Sequence, residues 1–160
     1  VTARRRAWLV KSEPDVFGFD DLWRAPERTT LWDGVRNYQA RNYLRDEMRP
    51  GDVVVVYHSN AHPAGAAGLA EVAGAPVPDA SQFDPTSPYH DPTSPADDPR
   101  WWSVPIRATA ALPRLVSLPE LRADPALASL DLVLLRRGNR LSVMPLPPAA
   151  VDRIVALAGG

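Results

Sequence analysis

The order of elements along these 160 residues predicts an α+β fold built on a curved sheet or small barrel. Two observations point there. Short runs with strand character recur from the N-terminus to residue 146, whereas long helical periodicity is confined to residues 35–48 and 149–158. Strands and helices are also mixed rather than alternating, which disfavours a doubly wound parallel sheet. The expectation is about five or six strands and four or five helices in a single domain over residues 1–160.

Each element has its own warrant. Trp8-Leu-Val-Lys11 reads as a strand closed by Ser12-Glu13-Pro14. Residues 20–25, with Leu22 and Trp23 apolar, form a brief helix, and residues 29–33 a turn or short strand. Val35, Tyr38, Tyr43, Leu44 and Met48 recur near helical spacing, so a helix is predicted over 35–48 and ends at Pro50-Gly51-Asp52. The unbroken apolar run Val53–Tyr57, inside 52–58, marks a buried central strand; alternation over 68–73 marks the next, across a loop at 59–65. A strand resumes over 100–111, where Pro105 indicates an edge or bulge. Ser117-Leu-Pro-Glu120 is a capping box, in which serine and glutamate satisfy free backbone amides reciprocally. Asp124-Pro125 opens a further short helix or turn. A basic turn at 136–140 feeds a strand over 141–146, and a last helix over 149–158 carries Val151, Ile154, Val155 and Leu157 before Gly159-Gly160.

Residues 76–99 differ in character. Seven of the eighteen prolines lie there, and Asp-Pro-Thr-Ser-Pro occurs at both 84–88 and 91–95. Proline removes donors and fixes the backbone, so regular structure is not expected. Phe83, Tyr89 and His90 give the segment side chains able to anchor it, and it reads as an ordered loop within the domain.

Composition narrows the function. A net charge of −1 rules out a global basic field, so any nucleic-acid partner must be held by local patches or a pocket. The absence of cysteine excludes disulfides, thiolate metal sites and a cysteine nucleophile. No apolar run reaches membrane-spanning length, and Arg4-Arg5-Arg6 leads directly into a strand rather than a signal peptide's apolar region; a cytoplasmic protein with no membrane partner is expected. Of the 18 lysine and arginine residues only Lys11 is a lysine, which marks a place where a guanidinium would not fit. No nucleophile elbow or phosphate loop is present. His58 and His62 are four apart, but Pro63 follows and no third ligand is evident, so neither a metal nor a cofactor is expected.

The densest signal is Trp32-Asp-Gly-Val-Arg-Asn-Tyr-Gln-Ala-Arg-Asn42. It joins aromatics, a turn glycine, two arginines and three amide side chains. Amides read base edges, arginines hold phosphates and aromatics stack on bases. The stretch therefore reads as a recognition surface.

Five motifs occur in a fixed order: Trp8-Leu-Val-Lys11-Ser-Glu-Pro14, the Trp32–Asn42 stretch, Tyr57-His-Ser-Asn60, Asp98-Pro-Arg-Trp101, and Arg136-Arg-Gly followed by Arg140-Leu-Ser142. In these, from Trp8 to about Ala158, the chain resembles EVE domains, the PUA-like domains similar in plan to YTH domains. The resemblance implies a PUA-like pseudo-barrel with flanking helices. It also implies a non-catalytic module that recognises a modified base, most notably 5-modified cytosine in DNA.

Such a reader must extract its base from the stack at a cost of a few kcal/mol, offset by stacking and edge hydrogen bonds. Trp8, Trp32, Tyr57 and Trp101 are candidate walls, with Trp32 at the mouth beside Asp33-Gly34 and Val35 lining a subpocket for the 5-substituent. His58, Ser59 and Asn60 leave the central strand into a loop, where they can present polar groups. Lys11 can donate to a base carbonyl or a phosphate, and Ser12 can donate or accept. Asn37 and Arg41 share a helix face and can meet the ligand. Arg36 is assigned to a phosphate or to a carboxylate such as Asp33, and Arg136, Arg137 and Arg140 to the backbone flanking the base. Arg45 and Arg49 are assigned to solvent or to Asp46 and Asp52. A modified-RNA reader, a small-molecule or nucleotide-binding module and an enzyme acting on nucleotides remain alternatives.

Overall fold

The computed structural model describes residues 6–159; Arg4, Arg5 and Gly160 lie outside them. Six β-strands run in the spatial order β2-β6-β4-β3-β1-β7, and β5 adds to β6. These are β1 (Ala7–Ser12), β2 (Thr29–Trp32), β3 (Val53–His58), β4 (Gly65–Val72), β5 (Val77–Pro78), β6 (Trp102–Ser117) and β7 (Val143–Leu146). Among the described residues only β1 and β3 pair in parallel. The helices are α1 (Pro14–Phe17), α2 (Phe19–Arg24), α3 (Tyr38–Asn42), α4 (Leu118–Ala123), α5 (Pro125–Ala128) and α6 (Pro148–Gly159).

Alternation along the strands builds two cores. Trp8, Val10, Trp32, Val54, Val56, Val72, Val104, Ile106 and Val143 pack together on one face with Leu22, Leu44 and Met48. That cluster draws on both ends of the strand order, so the sheet curls until its edge strands β2 and β7 share one core. This is the incomplete barrel of a PUA-like α+β fold. On the other face Leu9, Val55, Tyr57 and Val116 pack against Leu121, Leu127 and Ile154 from α4, α5 and α6.

The capping box forms as read: Ser117 Oγ accepts from the Glu120 amide and Glu120 Oε1 accepts from the Ser117 amide. Other expectations need correcting. The 35–48 helix begins three residues late, because Asn37 is extended and its side chain accepts from the Ala40 amide, capping α3 at 3.0 Å. Past Asn42 the coil widens into a π-helical turn over Tyr43–Glu47. Asn37 and Arg41 therefore do not present one helix face to a ligand, since Asn37 is the cap, whereas Arg45 does pair with Asp46, at 2.8 Å. The described residues form seven strands where about five or six were expected, as β5 emerges from the proline-rich segment. Pro105 marks neither an edge nor a bulge. It lies opposite Leu31 in β6, between β2 and β4, and its carbonyl accepts from the Ala73 amide.

The proline-rich segment is ordered, but mainly by side chains other than those expected. Phe83 and Tyr89 remain more than a third exposed. Asp79, Gln82 and Ser94 are the buried members, and Gln82 bonds Asp79 O, the Trp101 backbone on both sides, and Ser94 Oγ. Each Asp-Pro-Thr repeat closes the same local turn: Thr86 donates to Asp84 Oδ1 and Thr93 to Asp91 Oδ1, through backbone and hydroxyl alike.

Candidate functional site

A cleft of about 770 Å³ opens at the seam of the curled sheet. The end of β1 supplies Lys11 and Ser12, and α1 with its N-cap residue supplies Glu13, Val16 and Phe17. From the opposite edge, β2 and its following turn contribute Thr30, Leu31, Trp32, Asp33, Gly34 and Val35. Ser59 and Asn60 come from the end of β3, Arg140 and Ser142 from the approach to β7, and Tyr89 from the proline-rich loop.

The aromatic walls are Trp32, Phe17 and Tyr89. Phe17 meets Trp32 edge-on, with ring centroids 6.4 Å apart and planes at 83°. Tyr89 lies across Gly34, where φ is +76° and an added Cβ would stand 2.7 Å from the Tyr89 ring. Only glycine allows both the left-handed turn and the close ring.

Asp79, fully buried, holds this lip in place. Its carboxylate accepts from the Gly34 amide at 2.8 Å, from Arg36 Nη1 at 3.0 Å and from the Ser81 amide at 2.8 Å. Burial opposes its ionisation, but the bonds from Ser81, Gly34 and Arg36 outweigh it and keep the carboxyl below its ordinary value. Arg36 donates in addition to Val35 O, Ser81 Oγ and, through two nitrogens, Tyr89 O. All five of its N–H groups are thereby engaged, so it is a strap between loop and turn rather than a phosphate contact, and its carboxylate partner is Asp79 instead of Asp33.

The polar groups facing the cleft are largely unpartnered. Ser12 Oγ is buried without a hydrogen bond. Lys11 has no ion pair among the described residues, its Nζ lies 5.8 Å from the Tyr57 ring centroid, and burial lowers its pKa. Arg140 is exposed and likewise free of an ion pair among the described residues. Asn60 donates to Glu13 Oε1 at 2.6 Å.

Of the residues singled out in the sequence, Lys11, Ser12, Trp32, Val35, Ser59, Asn60 and Arg140 meet in this cleft. The others lie elsewhere. Trp8 is fully buried, with Nε1 donating to Asp52 at 3.0 Å. Trp101 stacks on Tyr38 at 5.0 Å and donates to Asp91 at 2.8 Å, so it anchors the loop. Tyr57 belongs to the opposite core. His58 Nε2 accepts from the Phe19 amide at 3.0 Å, and burial lowers its pKa. Asn37 caps α3. Arg41 donates to Arg100 O and to Asn42, beside the Tyr38 ring. Arg136 turns away to Asp131 in a separate groove, and Arg137 is exposed outside the cleft.

Sequence reading missed Phe17, Tyr89 and Asp33 as cleft residues. Tyr89 stood out only as a loop anchor, Phe17 sits in a stretch without periodicity, and Asp33 read as a turn residue beside Trp32.

Among the described residues no helix is long and apolar enough to cross a membrane, and no three metal-ligating side chains converge. Curled sheet, seam cleft and strapped loop define a protein of PUA-like plan with an aromatic-walled recess. The chain belongs to the EVE domain family, whose model matches residues 6–157. It is 38% identical over 164 residues to human thymocyte nuclear protein 1, covering 94% of this chain and 72% of that protein. The structure of a protein from Pseudomonas putida is 41% identical, with a TM-score of 0.88 over 95% of this chain and 99% of that one. That of the human THYN1 protein in complex with 5-methylcytosine containing DNA is 37% identical, with a TM-score of 0.89 over 97% and 98%.

Proposed function

We propose that this chain is a non-catalytic module that recognises a 5-modified cytosine in DNA, flipped out of the duplex into the seam cleft. The observation that carries the reading is the convergence in one recess of aromatic faces and unpartnered polar atoms. Trp32, Phe17 and Tyr89 supply stacking surface, and Lys11 and Ser12 supply edge contacts. The volume suits a base with part of its sugar, within the roughly 300–1,000 Å³ of ligand pockets. Stacking of about 1–3 kcal/mol per base, with edge bonds, offsets a flipping cost of a few kcal/mol. The DNA-bound human THYN1 relative supports the choice of partner.

In this reading Val35 lines the recess for the 5-substituent beside Trp32, Ser59 and Asn60 present polar groups at the mouth, and Arg140 meets a flanking phosphate. The match over residues 6–157 supports treating 1–160 as a single domain. A cytoplasmic location fits wherever the DNA partner shares that compartment, although the vertebrate relatives are named as nuclear proteins.

Fluorescence polarisation on short duplexes differing at one cytosine, unmodified, methylated or hydroxymethylated, tests the reading. Tighter binding to a modified duplex, abolished by Trp32→Ala in a protein that still folds, is the expected result. Equal binding to all three duplexes, or dependence on a 2′-hydroxyl in a modified RNA, would replace it.

A further inference from the structure

Resting on the base-reader reading above, we infer that Asp33 makes the cleft select cytosine over thymine, by accepting a hydrogen bond from the exocyclic N4 amino group.

An unpaired acid is out of place in a recess that must admit a polyanion. Asp33 lines the cleft beside Trp32, yet it has no ion-pair partner among the described residues. The neighbouring guanidinium, Arg36, favours the Asp33 charge only through space, since all its donors are committed to Asp79, Ser81, Val35 and Tyr89. Asp33 is exposed at the cleft wall; partial burial, and then the adjacent Asp79 carboxylate, raise its pKa against the smaller opposing effects of its own backbone hydrogen bond and of Arg36. A carboxylate accepts hydrogen bonds and donates none. What the cleft offers at this point is therefore an acceptor awaiting a donor.

The pyrimidines differ in that respect. Cytosine carries an amino donor at position 4, whereas thymine carries a carbonyl acceptor there and the same methyl group at position 5 as 5-methylcytosine. Lys11, also in the cleft and also unpaired, is a pure donor suited to a ring carbonyl or nitrogen acceptor. One acceptor and one donor match the edge of cytosine. For thymine the Asp33 carboxylate would face O4, acceptor against acceptor. Trp32 and Val35 contact the 5-methyl region and cannot separate the two bases, and the other carboxylate of the cleft, Glu13, already accepts from Asn60, so discrimination falls to Asp33.

The test uses the full chain and two duplexes identical except for one pair, 5-methylcytosine opposite guanine or thymine opposite guanine. The mismatch is easier to open, which biases the comparison towards thymine. Wild type should nevertheless prefer 5-methylcytosine by roughly 10-fold or more, the scale of a hydrogen bond to a charged group. Asp33→Asn, whose amide can both donate and accept, should bring the two within about 3-fold by losing methylcytosine affinity and gaining thymine affinity. Asp33→Ala should lose methylcytosine affinity without gaining thymine. A wild type that binds methylcytosine but fails to reject thymine overturns the assignment, as does an Asp33→Asn protein with undiminished preference. Absence of binding to any modified duplex would instead sink the base-reader reading itself.

Discussion

Replacing Asp79 by alanine should cost about 3 kcal/mol and release the proline-rich loop from the cleft. The side chain is fully buried and accepts from the Gly34 amide, the Ser81 amide and hydroxyl, and Arg36. Removing one partner of a buried ion pair typically costs about 3–5 kcal/mol, because the other charge is left uncompensated. Here Arg36 is 22% exposed and keeps Val35 O and Tyr89 O, which places the value at the low end. Against a total stability of about 5–15 kcal/mol the variant still folds. Urea unfolding should show a lower midpoint with an unchanged slope. The cost of Asp79→Ala should also shrink by roughly 1–3 kcal/mol when Arg36→Met is already present, since the two residues share one network. Faster amide hydrogen exchange over residues 79–91 should accompany the loss. A change below about 0.5 kcal/mol, or purely additive effects of the two substitutions, would refute the view that this pair straps the loop to the recognition turn.

Two further outcomes are expected. Gly34→Ala puts a side chain at φ +76° and a Cβ against Tyr89, so it should lower the unfolding free energy from urea titration by at least the roughly 1–2 kcal/mol of a left-handed residue and weaken binding to methylated DNA. Because burial lowers the His58 pKa below its ordinary 6.5, the unfolded chain takes up a proton before the native one as pH falls. The stabilisation from neutral His58 is thus present above 6.5 and lost towards the lower folded value. Unfolding free energy between pH 7 and pH 5 should drop more steeply in wild type than in His58→Gln, and parallel slopes would exclude the role.

Much of the architecture was legible because its causes are local. The Val53–Tyr57 run, the alternation in β4 and the box at Ser117 and Glu120 each specify their element within a few residues. Even the Asp-Pro-Thr repeats encode their turns, since each aspartate bonds the threonine two residues on. The start of α3 was less clear, because helical spacing and the Asn37 cap competed and only the folded chain shows that the cap prevails.

The sequence by itself determined the α+β class, the family motifs and the stretch that holds Trp32, Asp33, Gly34 and Val35. Tertiary structure alone decided which aromatics face the recess. Trp8, Trp32 and Trp101 are similar tryptophans at strand ends or beginnings, yet Trp8 is bound to Asp52 in the core, Trp101 fastens the loop and Trp32 remains at the seam. Tyr89 reaches the cleft only because Asp79 and Arg36 fold its loop back over Gly34. Strand identity follows from the period of neighbouring side chains, whereas membership of the cleft depends on where two sheet edges, distant in sequence, come to face each other.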